Sequence, residues 1–404
     1  MKMERKACVR RRMVVMVAMV LPNVIGCSGF FVPQTTTSGG STGTSTGNVY
    51  VANFSRSSLN GFGVVPAVAA VAATTTTPAV AATPAALAAI SGLPTALTYQ
   101  PVSMAVTPTN TFLYVGSVGG IYLYAITSSG SLTVPAANSK PAGVDAVSMA
   151  ISPDGQWLIA LDGTTQQLDI FQINATTGAL NSINAPATYS ILSGTWSPTA
   201  VRISPNGLLI YAALGTAGDV VFTFNTTSGV AVTTGNLNMP TTTTSDFGLA
   251  IDSKTAYLYI ARSGTQGGVA VYSIGANGSL VAVTGSPFAA GSGTYGIQLD
   301  NTGTYVYAAN RTDGNISGYT IVPGTTAPGL TLTPLSGSPY ASGAGVQSLG
   351  LDNSGKYLLA AALGGSPDLS MYSFDATTPG MLDLATSMAT DQDPAGATAI
   401  ALTH

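Results

Sequence analysis

The 404-residue chain is long enough for one large all-β domain or two ordinary ones. Its 47 Gly, 23 Pro and 7% charged residues supply turns and strand formers but little helix-favouring Glu, Lys or Arg, and Glu4 is the only glutamate. Beyond Cys27, seven Lys or Arg face fifteen Asp, a net charge of −8 that excludes nucleic-acid backbones and other polyanions as partners.

Six of the thirteen basic residues fall within the first twelve positions, ahead of the apolar run Met13–Leu21 (MVVMVAMVL). That run is too short to span a bilayer, and the pattern predicts a signal peptide over residues 1–27. Its end, Val24-Ile25-Gly26-Cys27, resembles the bacterial lipobox, with Cys27 as the acylated residue. Cys27 is also the only cysteine left after such a cleavage, and a lone thiol in an oxidising compartment is otherwise a liability. The expected location is therefore outside the cytoplasm, in the cell envelope through a lipid anchor, with the outer membrane favoured because Ser28 follows the cysteine. A protein simply secreted or periplasmic is the other outcome. Residues 28–47, which include Thr35–Gly47 (TTTSGGSTGTSTG), lack apolar periodicity and read as a flexible tether.

From residue 48 onward one motif recurs: an alternating strand, a Pro/Asp/Asn/Gly turn, then an apolar strand with an aromatic. Its six copies are Ser103–Tyr114, Ser148–Ile159, Thr199–Tyr211, Gly248–Tyr259, Gly296–Tyr307 and Ser348–Leu359. The last residues of these copies are spaced 45, 52, 48, 48 and 52 apart. That period suits four-stranded propeller blades. Third strands follow at Ile121–Ile126, Leu168–Ile173, Val269–Ile274 and Ile316–Ile321, and fourth strands at Ser279–Phe288 and Leu330–Tyr340. Thr398–Leu402 matches a first strand and Val49–Asn53 a second strand, so both ends of the segment complete a seventh blade. The predicted fold is all-β: a seven-bladed β-propeller over residues 48–404, with Ser58–Val64 and Ala86–Ala96 as outer strands of the shared blade. An Ala/Thr/Pro-rich insert, residues 65–84, reads as an extended surface excursion.

The turns Ile151–Gly155 (ISPDG) and Ile203–Gly207 (ISPNG), with Gly285–Gly293 (GSPFAAGSG), make residues 48–404 resemble the lactonase-type seven-bladed propellers, 6-phosphogluconolactonases among them. That resemblance implies a ligand face bearing the loops into first strands and out of second strands. It also implies an Arg-His pair before one first strand and a Glu after the following second strand, a set suited to opening a lactone. Here Tyr295-Gly296 stand at the Arg-His position and Arg311 at the Glu position, while Trp196-Ser197-Pro198 replace another family histidine. The only histidine is His404. With no His/Cys cluster for zinc or haem, no cofactor or metal is expected.

Candidate ligand-binding residues on the implied face are Asp162, Trp196, Asp246, Arg262, Tyr295, Asn310 and Arg311, with no assignable catalytic residue. Asn53 and Phe247 share that face. Asp252, Asp300 and Asp352 recur before turns and read as turn formers, and Asp391-Gln392-Asp393 as a bare loop. The deficit of acid–base residues points to a monomeric, non-catalytic binding or scaffold propeller whose partner is a small molecule, a glycan or an envelope protein. The alternatives are a lactone hydrolase of the 6-phosphogluconolactonase type, or a carbohydrate-binding propeller using Trp196 and Tyr295.

Overall fold

Alternating apolar residues and closely spaced turns give antiparallel hairpins, and in the computed structural model these hairpins form seven four-stranded blades around one channel. The structure describes residues 44–404 apart from 76–78, 136–139, 184–185, 192–193 and 326–328. The expected signal peptide, Cys27 and most of the tether therefore lie outside the described residues. Gly47, placed at the end of the tether by sequence, is the first residue of the strand Gly47–Asn53.

Blade 1 is shared between distant parts of the chain. Its innermost strand is Ala397–Leu402, followed outward by Gly47–Asn53, Ser58–Val65 and the broken pair Ala86–Ala89 and Thr95–Ala96. This is the shared blade the sequence predicts, with an antiparallel register pairing Val49 with Leu402, Tyr50 with Ala401 and Val51 with Ile400. Blades 2 to 7 follow in chain order, with innermost strands Pro101–Val106, Ala146–Ile151, Trp196–Ile203, Thr244–Ile251, Thr294–Leu299 and Val346–Leu351.

Each first-to-second-strand turn is tied down by the residue before it. Asp252 Oδ1 accepts the backbone N–H groups of Ala256 and Tyr257, both at 2.6 Å. Asp300 and Asp352 do the same for residues 304–305 and 356–357. Ser152 and Ser204 fill that role with a hydroxyl in blades 3 and 4. These side chains replace backbone partners that the turn cannot supply.

Seven apolar clusters lie between adjacent blades, one at each seam. Large aromatics on the second strands cross these seams. The hydroxyls of Tyr50, Tyr114 and Tyr307 donate to the carbonyls of Gly130, Gly178 and Gly380 in the next blade, at 2.6–2.8 Å. Trp157 Nε1 likewise reaches Thr226 O at 2.8 Å. Each aromatic buries its ring and still satisfies its polar tip.

The insert is a two-stranded ribbon, with Val68 bridged to Thr83 and Val71 to Val80, and with the valine side chains exposed. It issues from the third strand of blade 1 and returns into the fourth. The fourth strand predicted over Ala86–Ala96 is interrupted at residues 90–94, which contain Gly92-Leu93-Pro94, and the equivalents in blades 5 and 6 break at the corresponding Gly285-Ser286-Pro287 and Gly337-Ser338-Pro339.

Because Ala397, Ile400 and Leu402 complete the cluster against blade 7, and Ala399 and Ala401 that against blade 2, removing Thr398–His404 exposes both seams at once. A chain ending at residue 397 is expected to lose its cooperative thermal unfolding transition. Calorimetry of the truncated and full chains checks this, and equal melting temperatures would contradict closure.

Candidate functional site

The innermost strands of all seven blades line a central channel holding a cavity of about 530 Å³. Position by position, the strand registers align Val102, Val147, Thr199, Phe247, Tyr295, Gln347 and Thr398 into one ring at its mouth. Arg311, Phe54 and Leu363 follow second strands and reach the same mouth.

The next residue on each strand is small: Ser103, Ser148, Ala200, Gly248, Gly296, Ser348 and Ala399. A Cβ at Gly248 would sit 2.5 Å from Tyr295 O, and one at Gly296 would sit 2.5 Å from Gln347 O. Only glycine lets blades 5, 6 and 7 approach this closely. That approach brings the Phe247 and Tyr295 rings into a stack, with centroids 4.5 Å apart and planes 25° apart. The Arg311 guanidinium lies 5.0 Å over the other partner of this stack, the Tyr295 ring. Its side chain makes no ion pair among the described residues. Burial holds the Tyr295 hydroxyl above its ordinary range, and the Arg311 charge offsets this only in part, so at neutral pH it is a neutral donor and not a base.

Tyr295 and Arg311, two of the seven sequence candidates, thus meet at the channel mouth. The other five do not, and each has a physical reason. Asp246 and Arg262 are buried and bind each other, Nε to Oδ1 at 2.6 Å and Nη2 to Oδ2 at 2.7 Å. Burial opposes the Arg262 charge, but Asp246 outweighs it and raises the arginine's pKa. Asp219, equally buried, lies beside this pair; burial and then the Asp246 charge push its carboxyl well up, towards the neutral form. The trio ties blade 4 to blade 5 and faces no ligand space.

Asn310 is fully buried and fully engaged: its amide donates to Asn315 Oδ1 and Ser317 Oγ, and its oxygen accepts the Gly291 N–H. Asn53 plays the same part in blade 1, where it accepts the Thr390 hydroxyl. Trp196 packs against the blade 3–blade 4 cluster and donates to Tyr189 Oη at 3.2 Å. Asp162 accepts the Thr164 N–H and hydroxyl and the Thr165 N–H in its own turn. Burial works against its charge, but these donors prevail and hold the carboxyl below its usual range.

Sequence reasoning missed Arg202. It lines the channel from the innermost strand of blade 4, and among the described residues its side chain makes one hydrogen bond, from Nη1 to Val201 O at 2.9 Å. The signal was present, because Arg202 is the one basic residue in any of the seven innermost strands. His404 lies at the opposite end of the channel, its backbone N–H on Asn110 Oδ1 and its Nε2 3.4 Å from Val106 O.

A family model described as "Lactonase, 7-bladed beta-propeller" matches residues 220–394. That match spans less than half of the chain, while the seven-bladed propeller itself runs from Gly47 to Leu402. No curated protein matches it. Among solved structures, this propeller is similar to one from Bacteroides uniformis provisionally assigned as a 6-phosphogluconolactonase. The identity is 17% and the TM-score 0.69, over 88% of this chain and 99% of that one. It is also similar to the periplasmic gluconolactonase PpgL of Pseudomonas aeruginosa, at 14% identity and TM-score 0.64, over 89% and 99% of the two chains. A Lactobacillus plantarum protein matches at 15% and 0.66, over 89% and 99%. At these identities the likeness is one of fold.

Asp169, next to Asp162, provides a pH test of the blade 3 rim. Burial, followed by the Asp162 charge, pushes its carboxyl up to about 6. Its folded pKa is thus above its unfolded one, so the folded state holds the extra proton and stability falls as pH rises from about 4 to 6. Asp169→Asn is expected to leave the melting temperature unchanged at pH 4 and to add about 1–2 kcal/mol at pH 8, allowing for partial exposure. Thermal melts across pH 4–8 read the difference.

Proposed function

We propose that the channel mouth is a lactone site and that the protein is a lactone hydrolase acting on a cyclic sugar lactone. The observation that carries this reading is the Arg311 guanidinium lying over Tyr295 without an acidic partner. The Phe247–Tyr295 stack offers an apolar face for a sugar ring, and Arg311 offers a fixed cation for its carbonyl oxygen. When water attacks a lactone carbonyl, negative charge develops on that oxygen, and a preorganised cation stabilises it. The fold relatives named as gluconolactonases supply the substrate class.

One observation favours a second reading, ligand binding without turnover. The described residues lining the channel include no Asp, Glu, His, Cys or Lys, so none of them is a conventional general base. An assay of acid release from glucono-δ-lactone and 6-phosphogluconolactone separates the two. Acceleration over spontaneous hydrolysis, falling about 10²- to 10³-fold in kcat/KM in Arg311→Ala, is expected for the hydrolase. An inert wild-type chain that binds gluconate saturably would decide for the second reading.

Export and lipid attachment at Cys27 belong to the same proposal and are supported by the basic run, the short apolar segment and the small residue before the cysteine. Cys27→Ser is expected to abolish incorporation of labelled fatty acid and to move the protein from the membrane fraction to the soluble one. Unchanged labelling would overturn the anchor.

A further inference from the structure

Of the seven basic residues beyond Cys27, Arg56, Lys140, Lys254 and Lys356 are exposed on the surface and Arg262 is locked to Asp246. The remaining two, Arg202 and Arg311, both line the channel, and no acidic residue among the described ones lines it with them. An acidic protein has therefore placed two arginines without acidic partners in one cavity.

They occupy different depths. Arg311 belongs to the mouth, at the level of Tyr295 and Thr199. Arg202 lies three residues further along its strand than Thr199, about 10 Å deeper at the usual strand rise. Between the two levels the cavity is belted by Met104, Met149, Leu249, Ile297, Leu349 and Ile400. Arg202 is solvent-exposed where it lines the channel, with protein around its base pulling its pKa below the ordinary value and no acidic residue lining the cavity beside it. A guanidinium facing a cavity with no carboxylate beside it is free to take an anion from solution.

We infer that Arg202 is an anion subsite at the inner end of the channel, so that the ligand carries a carboxylate distal to the group held at the mouth. A carboxylate fits better than a phosphate, because a single planar guanidinium matches one monoanionic fork while no second cation or N–H cluster stands beside it. Combined with the reading of the mouth as a lactone site, on which this step rests, the ligand class is a sugar-acid lactone that keeps one free carboxylate. Its ring lies on Tyr295 and Phe247, its carbon chain crosses the apolar belt, and the free carboxylate meets Arg202. Hydrolysis of such a lactone yields a dicarboxylate that both arginines hold.

Calorimetric titration of the full chain with glucarate and gluconate, which differ by one terminal carboxylate, tests the inference. Glucarate is expected to bind at least tenfold more tightly, and Arg202→Gln to erase that preference. Glutamine is a fitting substitute, since Gln298 holds the equivalent register position in blade 6. Equal affinities in the wild type, or a preference that survives Arg202→Gln, would overturn it. A separate arm follows the melting temperature in millimolar sodium sulfate relative to sodium chloride of equal ionic strength, where the general salting effect of sulfate is small, since sulfate needs no aromatic mouth. Sulfate stabilisation that is lost in Arg202→Gln but kept in Arg311→Ala upholds the subsite even where gluconate does not bind, in which case only the reading of the mouth falls. Sulfate stabilisation retained in Arg202→Gln would overturn the subsite.

Discussion

Everything in this molecule depends on how closely seven innermost strands approach one another around the channel. Their backbones meet at a single level where the side chains are Ser, Ala or Gly. At that level and beside it, hydrogen bonds lace the ring. Ser103 Oγ donates to Ala146 O at 2.7 Å, Ser148 Oγ accepts the Val201 N–H and Thr199 Oγ1 donates to Asp246 O. Ser348 Oγ accepts the Ile400 N–H, and Gln347 Nε2 donates to Thr398 O. Where blades 5, 6 and 7 meet, glycine takes the place of the hydroxyl and the backbones come together directly. A larger side chain at this level would push two blades apart, and the apolar seams behind it would open.

The same constraint shapes the site. Because the residues flanking the small level must fit a narrow mouth, most are Val, Thr or Gln, and aromatics occur only where glycine follows. Phe247 and Tyr295 stack because Gly248 and Gly296 allow it. The candidate site is thus a by-product of ring packing, with Arg311 supplied by the loop that leaves the second strand of blade 6. Chemistry and closure share the same few ångströms of backbone.

The propeller was legible in the sequence because its signals repeat: one strand–turn–strand motif, six times, with turn acids such as Asp300 in register. The shared blade was legible for the same reason, each half matching a different part of the motif. Site residues were harder. Position on a face does not reveal whether a polar side chain already has a partner across a blade or within its own turn. Asp246 and Arg262 neutralise each other through a fork that becomes apparent only once their strands are paired. Asp162 and Asn310 are consumed by local backbone and side-chain donors. Tyr295 and Arg311 could be anticipated because they replace the charged and acidic residues that the resemblance implies at those positions. Arg202 was hidden by its place inside a strand, where alternation suggests packing and not an opening on solvent.

One consequence of the shared blade concerns force. The strand Gly47–Asn53 is not an edge: it is hydrogen-bonded on one side to Ala397–Leu402 and on the other to Ser58–Val65. Whatever precedes residue 44 is therefore joined to the middle of a sheet. A pull along that strand must shear two antiparallel ladders together, and cannot peel one strand away bond by bond. The place where the chain enters the ring is thereby one that resists a pull as a whole ladder and does not yield one bond at a time.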